Sequence, residues 1–210
     1  MFASVLAATI NLLTFRSGPQ DFPYAPGLTP WTMAFAAAAN LSVFAQIIPL
    51  PLALLMAVMM VLGLALVTRV LLRARQLEPR FNQTFNSLLM TGGLLTLALA
   101  PLFASVAPLL REIAAAMEQG AQAAGAGGGS MKVMVEGAAP PEVALPQGTM
   151  FLMNLLNFWN FAVSASIYRQ AANVNILFGL LIALAAALSV MFFVIVFASL
   201  IGGLLGLNAR

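Results

Sequence analysis

The sequence predicts an all-α fold, a polytopic transmembrane helix bundle of about five spans led by an amphipathic N-terminal helix at the membrane interface. Three observations predict it. Of 210 residues, 62% are hydrophobic and only 7% charged, whereas a soluble domain carries roughly 25% charged residues. So few charges cannot cover a water-exposed surface, and the mean hydropathy of +1.00 makes lipid the solvent for most of the chain. Apolar blocks reach or exceed the roughly 20 residues that a spanning helix needs. The arginines, finally, gather at loops that alternate from one end of the predicted bundle to the other.

Residues 1–15 form the first element. At 100° per residue, Phe2, Val5, Leu6, Ile10, Leu12 and Leu13 share one face and Ser4, Asn11 and Thr14 lie opposite. Thr9 and Phe15 do not fit this division. The segment is short for a span and suits the interface. It has no positive leader and no small-residue cleavage site before Arg16, so it reads as retained. Residues 16–29 read as a cytoplasmic linker, and 30–210 as the five-helix membrane domain.

Trp31 to Leu72 is one apolar block. As a single helix it would be roughly 60 Å long, about twice the hydrocarbon core, so it turns. Pro49 and Pro51 are its only strong punctuation. Proline ends one helix and is tolerated in the first turn of the next, which places spans at 30–47 and 51–72. A third span covers 83–110. Pro101 inside it leaves the Leu97 carbonyl without its helical donor and predicts a kink, with Thr91, Thr96 or a neighbouring helix as substitute partner. A polar cluster, Asn82, Gln83, Thr84, Asn86 and Ser87, opens this span at the expected cytoplasmic interface.

Residues 111–149 are the long hydrophilic stretch, read as a flexible extracytoplasmic loop whose first turns extend the third helix. Gly125 and Gly127 to Gly129 make a linker, Met131 to Glu136 alternates like a short strand, and Pro140 and Pro141 end it. Spans at 150–170 and 174–205 follow, with Asn173 and Asn175 placed to end one helix and cap the next.

Arginines orient the bundle. Arg69, Arg73, Arg75 and Arg80 flank one loop and Arg169 ends the fourth span. Cytoplasmic loops carry the excess of Lys and Arg, so these five face the cytoplasm with Arg16. The N-terminus is then inside and the C-terminus outside. Arg69 and Arg169 can also snorkel to the headgroups. The abundance of Ala, Leu and Gly and the preference for Arg over Lys fit a GC-rich bacterial genome, hence a multi-pass protein of the bacterial inner membrane.

Composition also narrows function. No Cys is present, so there are no disulfides, thiolate metal sites or thiol nucleophiles; no His removes the commonest metal ligand and general base. The pI near 10.2 rests on a net charge of only +3, without a basic patch interleaved with aromatics, and nucleic acid is not an expected partner. The spans hold no Asp, Glu, Lys or His centrally, which argues against proton relays. Ser164-Ala165-Ser166 has no base and no nucleophile elbow, and the glycines at 125–129 are not a phosphate loop. No catalytic, cofactor or metal residues are assigned.

Two stripes stand out. Asn154, Asn157, Asn160 and Ser164 lie within roughly a third of a turn on the fourth span. Amides there bond to neighbouring helices, each worth about 0.6–2 kcal/mol; the alternative is a polar lining for a small ligand or lipid headgroup. On the fifth span, Gly179, Ala183, Ala187, Ala198, Gly202 and Gly206 form a small-residue stripe for close helix packing, inside the bundle or between copies.

The run Gly18-Pro19-Gln20-Asp21-Phe22-Pro23-Tyr24-Ala25-Pro26 before five spans, with Trp159 in the fourth and Ile167-Tyr168-Arg169-Gln170-Ala171 at its end, resembles small bacterial membrane proteins similar to the Yip1 family. That resemblance implies a cytoplasmic N-terminus and five helices; eukaryotic members act in vesicle traffic with small GTPases. Their Asp-Leu-Tyr-Gly-Pro motif is missing here, so no functional residue and no partner carries over. The expected function is a non-enzymatic scaffold, assembly factor or subunit of a membrane complex. Its partners would be the lipid bilayer and other membrane subunits or further copies of itself. The alternative is a small-molecule or lipid transporter using the polar face of the fourth span.

Overall fold

A computed structural model describes residues 2–25, 27–126 and 146–204. Every described element is helical: α1 (Phe2–Leu13), α2 (Leu28–Phe44), α3 (Leu50–Ala74), α4 (Phe81–Ala126), α5 (Gln147–Ala171) and α6 (Ile176–Leu204), with single 3-10 turns at Pro19–Asp21 and Glu78–Arg80. The chain is a helical membrane protein. α3, α5, α6 and the 78–113 stretch are long and apolar enough to cross a bilayer.

α2 is not among those four, although the sequence reading counts it as a fifth span. The expected 30–47 helix stops at Phe44 because the next four residues tighten into turns before Pro49: the Gln46 amide donates to the Val43 carbonyl, and those of Ile47 and Ile48 to that of Phe44. Seventeen residues rise only about 26 Å. α2 nonetheless lies parallel to α4, alongside its residues 86–100. Its start is tied by Thr32 to Asn86, and the turn after it by Gln46 to the Ala100 carbonyl.

Pro49 and Pro51 act as expected. Pro49 is the N-cap of α3 and Pro51 sits in its first turn. α4 continues through Pro101 and Pro108 to Ala126, so residues 111–126 are helical, well short of a wholly flexible loop. Thr91 spends its hydroxyl on the Ser87 carbonyl at 2.7 Å and does not serve the gap at Pro101. The glycine linker after Ala126, the strand reading at Met131 to Glu136 and Gly206 lie outside the described residues.

The five long helices close a ring in the order α2, α4, α5, α6, α3 and back to α2. Glycines set the close approaches. A Cβ on Gly93 would stand 2.7 Å from the Phe35 ring, between α4 and α2; one on Gly179 would stand 2.6 Å from Arg169 Cβ, between α6 and α5. In lipid, such backbone proximity and interhelical hydrogen bonds do the work that water-driven burial does in soluble cores.

One end of the ring gathers the 74–80 loop, the 172–175 turn and the 18–22 segment. Arg80 Nη1 donates to the Gln170 and Ala171 carbonyls at 3.4 and 3.2 Å, and Arg75 Nη2 to that of Ala172 at 3.5 Å. These are carbonyls that a helix C-terminus leaves unpaired, at the negative end of its dipole. Gln83 Nε2 donates to the Gln20 and Phe22 carbonyls, which straps the linker to α4. Asn173 takes φ 57° and the Asn175 side chain accepts from the Phe178 amide at 3.0 Å, so both do as the sequence suggests. At the opposite end Arg111 Nε donates to the Gln46 carbonyl at 2.8 Å.

α1 packs on the outside of α4 and α5. Its apolar face divides: Val5 and Leu12 are buried, while Phe2, Leu6 and Ile10 are exposed. Thr9, the exception in the sequence pattern, is buried on the packed side and donates to the Val5 carbonyl at 2.8 Å. Trp159 Nε1 donates to the Leu13 carbonyl at 3.1 Å, and its ring meets Phe15 edge-on.

Candidate functional site

All five helices of the ring contribute to a central cavity of about 570 Å³, within the 300–1,000 Å³ typical of ligand pockets. Most of its wall is apolar: Met56, Met60 and Leu64 from α3, Leu88 and Leu89 from α4, Val190 and Val194 from α6. The polar exceptions are Asn40 on α2, Thr96 on α4, and Asn157, Asn160, Ser164 and Tyr168 on α5. No lining residue is Asp, Glu, Lys, Arg or His.

The fourth span's polar stripe therefore faces a space. Asn157, Asn160 and Ser164 line the cavity; Asn154 is exposed and does not. At 3.6 residues per turn Asn154 lies about 120° round the helix from Asn160, enough to carry it off the wall. The stripe's amides do not bridge to neighbouring helices. Asn157 Nδ2 donates back to the Met153 carbonyl of its own helix at 2.9 Å. Among the described residues, the Asn160 carboxamide and the Ser164 hydroxyl form no hydrogen bond, and neither does Thr96. Asn40 bonds only to the Ala36 carbonyl one turn back.

Tyr168 closes the end of the cavity nearest the arginine loop. It is 2% exposed, and its hydroxyl shares a hydrogen bond of 3.0 Å with Thr68 of α3. Gly92 leaves the room opposite α5: a Cβ there would find nothing nearer than Asn160 Oδ1 at 3.9 Å. Adjacent Gly93 is packed tight against α2, so this glycine pair joins one close helix contact to one open wall.

The small-residue stripe of α6 packs at Gly179, Ala183, Ala198 and Gly202, all buried. Ala187 departs from it. The buried track runs through Ala186, Val190 and Val194, because a contact line on a straight helix steps by three as well as four residues. Ala187 is exposed and lines the cavity. Met191 at 57% and Ile195 at 54% exposure line it too. With exposed Asn157 on α5, these residues place the open side of the cavity between α5 and α6, beyond their tight crossing at Gly179.

Comparison with family models, curated proteins and solved structures finds no match. The cavity itself therefore carries the functional reading.

The orienting arginines, Arg69, Arg73, Arg75, Arg80 and Arg169, are all exposed. Arg73 pairs with Glu78 at 3.3 Å on the open surface, a contact worth about 0–1 kcal/mol. The cluster opening α4 is more buried than an interface position implies. Thr84, Asn86 and Ser87 are 2% exposed or less. Asn86 accepts from Thr32 at 2.7 Å and donates to Thr29 at 3.2 Å, which seats α2 on α4. Sequence reasoning missed Asn40 and the Gly92–Gly93 pair; the signal available was a lone amide and a double glycine at mid-span, where each is out of place without a packing or polar reason.

Proposed function

We propose that this protein is a non-enzymatic membrane protein that binds a small apolar or lipid-like molecule inside its helix ring, as a carrier or transporter would. The observation that carries the reading is the set of unpaired polar side chains, Asn160 and Ser164, on the wall of a cavity of about 570 Å³. An unpaired polar group away from water costs free energy, and a bound molecule or water relieves that cost. General acid–base work needs a titratable group poised near neutral pH, and the lining supplies no carboxylate, imidazole or amine. The arginine placement supports a cytoplasmic 73–80 loop and an external C-terminus, and the Ala-, Leu-, Gly- and Arg-rich composition supports a bacterial inner membrane as the setting.

The test is composition. Protein extracted in mild detergent and stripped with organic solvent should release one apolar species enriched over the surrounding lipids, near one per chain. Release of bulk lipid alone would overturn the reading. A scaffold or complex-subunit role is the second reading, favoured by α4, which continues 13 residues beyond Ile113, the end of its membrane-length stretch. That is about 20 Å of helix available to a membrane partner or a second copy. A stoichiometric protein partner in the same extract, with no enriched lipid, would favour it.

A further inference from the structure

The character of the lining narrows the ligand. We infer that the cavity encloses one chain and the uncharged head, bearing a hydroxyl or carbonyl, of an amphiphile admitted sideways from the bilayer between α5 and α6. This rests on the ligand-binding reading above and adds the chemistry of the ligand and its route.

Every lining side chain is neutral, so a phosphate, carboxylate or ammonium head would enter without a counter-ion, and burying an unpaired charge is prohibitive. A neutral head fits the groups present. Asn160 offers two N–H donors and a carbonyl acceptor, and Ser164 one donor and an acceptor, all without protein partners. They sit one turn apart on α5, so a glycerol head reaches both, and a single carbonyl can accept from either.

Size limits what the ring encloses. At about 30 Å³ per water-sized group, the cavity's 570 Å³ holds about 19 such groups. That matches one head and most of one chain. The methionines Met56, Met60 and Met191 suit a flexible hydrocarbon, since their unbranched side chains re-pack around irregular shapes.

The route follows from exposure. Tyr168, hydrogen-bonded to Thr68, closes the end near the arginine loop, and α5 and α6 cross tightly at Gly179. The exposed lining residues, Asn157, Ala187, Met191 and Ile195, border the gap between these two helices. That gap faces hydrocarbon, so a ligand enters tail and head together without crossing water.

The experiment uses three photoactivatable probes of equal chain length, each with a diazirine in the chain: a monoacylglycerol, the corresponding fatty acid at pH 8, and an alkane without a head. Each is added to the purified full chain in nanodiscs, and labelled peptides are mapped. The monoacylglycerol should label peptides covering 157–168 and 183–195 at least tenfold more than the fatty acid. Asn160→Leu combined with Ser164→Ala should reduce that labelling about tenfold, and Ala187→Trp at the mouth should abolish it, with melting temperatures near wild type confirming folded variants. Ser164→Ala alone gives a milder variant with a several-fold loss. Equal labelling by fatty acid and monoacylglycerol, or labelling indifferent to the Asn160 and Ser164 changes, overturns the neutral-head inference. Alkane labelling of the same peptides without monoacylglycerol labelling also overturns it while leaving the ligand-binding cavity standing. Absence of labelling there by all three sinks both. Labelling unaffected by Ala187→Trp overturns the lateral route.

Discussion

Asn160 faces Gly92 across the interior of the helix ring, its Oδ1 3.9 Å from the point where a Cβ would stand on the glycine. The missing side chain on α4 is what leaves the α5 amide looking into space. Gly92→Leu should therefore fill the cavity beside Asn160 with little effect on folding. The expected outcome is a melting temperature near wild type and at least a tenfold loss of bound ligand, about 1.4 kcal/mol, read by mass spectrometry of the extracted lipid.

The next residue should behave oppositely. A Cβ at Gly93 meets the Phe35 ring at 2.7 Å and the Ala36 backbone at 3.5 Å. Gly93→Leu should push α2 off α4 and cost about 1–3 kcal/mol, the usual range for overpacking. Thermal melting in detergent checks it; an unchanged midpoint would mean that α2 is free to shift.

Thr68 and Tyr168 form a buried hydroxyl pair. Tyr168→Phe or Thr68→Val alone leaves one hydroxyl unsatisfied, at about 1–3 kcal/mol. The double variant should cost less than the two singles summed, with a coupling of about 0.6–1.7 kcal/mol. Strict additivity in a double-mutant cycle would contradict the bond.

Arg80 caps the C-terminus of α5 through the Gln170 and Ala171 carbonyls. Arg80→Glu sets a negative charge against the negative end of a helix dipole and should cost about 1 kcal/mol. Because the side chain is exposed, the loss should shrink as salt rises from 0.01 to 1 M, over which the Debye length falls from about 30 to 3 Å. A salt-independent loss would point to packing instead.

The arrangement of ends predicts topology. Reporter fusions after residue 76 and after residue 130 should report opposite faces of the membrane, the first cytoplasmic. Both on one side would refute the proposed orientation and the traverse of α4 together.

Much of the helical layout is legible in the chain because each boundary has a local cause. Pro49 and Pro51 separate α2 from α3, and Asn173 and Asn175 separate α5 from α6; these residues act through their own backbone geometry, which needs no tertiary partner. The continuation of α4 to Ala126 and the early end of α2 at Phe44 are less legible. Past Ile113 the hydropathy falls and suggests a loop, although Ala, Met, Glu and Gln there favour helix, and the turns after Phe44 carry no breaker until Pro49.

What the sequence determined alone is therefore the lipid environment, the helices and the polar face of α5, since hydropathy and 3.6-residue periodicity are properties of the segment itself. Which way that face looks is not such a property. An amide stripe satisfied by a neighbouring helix and one lining a cavity have the same spacing. The choice depended on a residue sixty-eight positions away, Gly92, and on α5 and α6 crossing tightly at Gly179 while their facing edges beyond it stay exposed. Ring closure is a relation among five helices, and only packing of the whole chain decides whether the middle is filled or open.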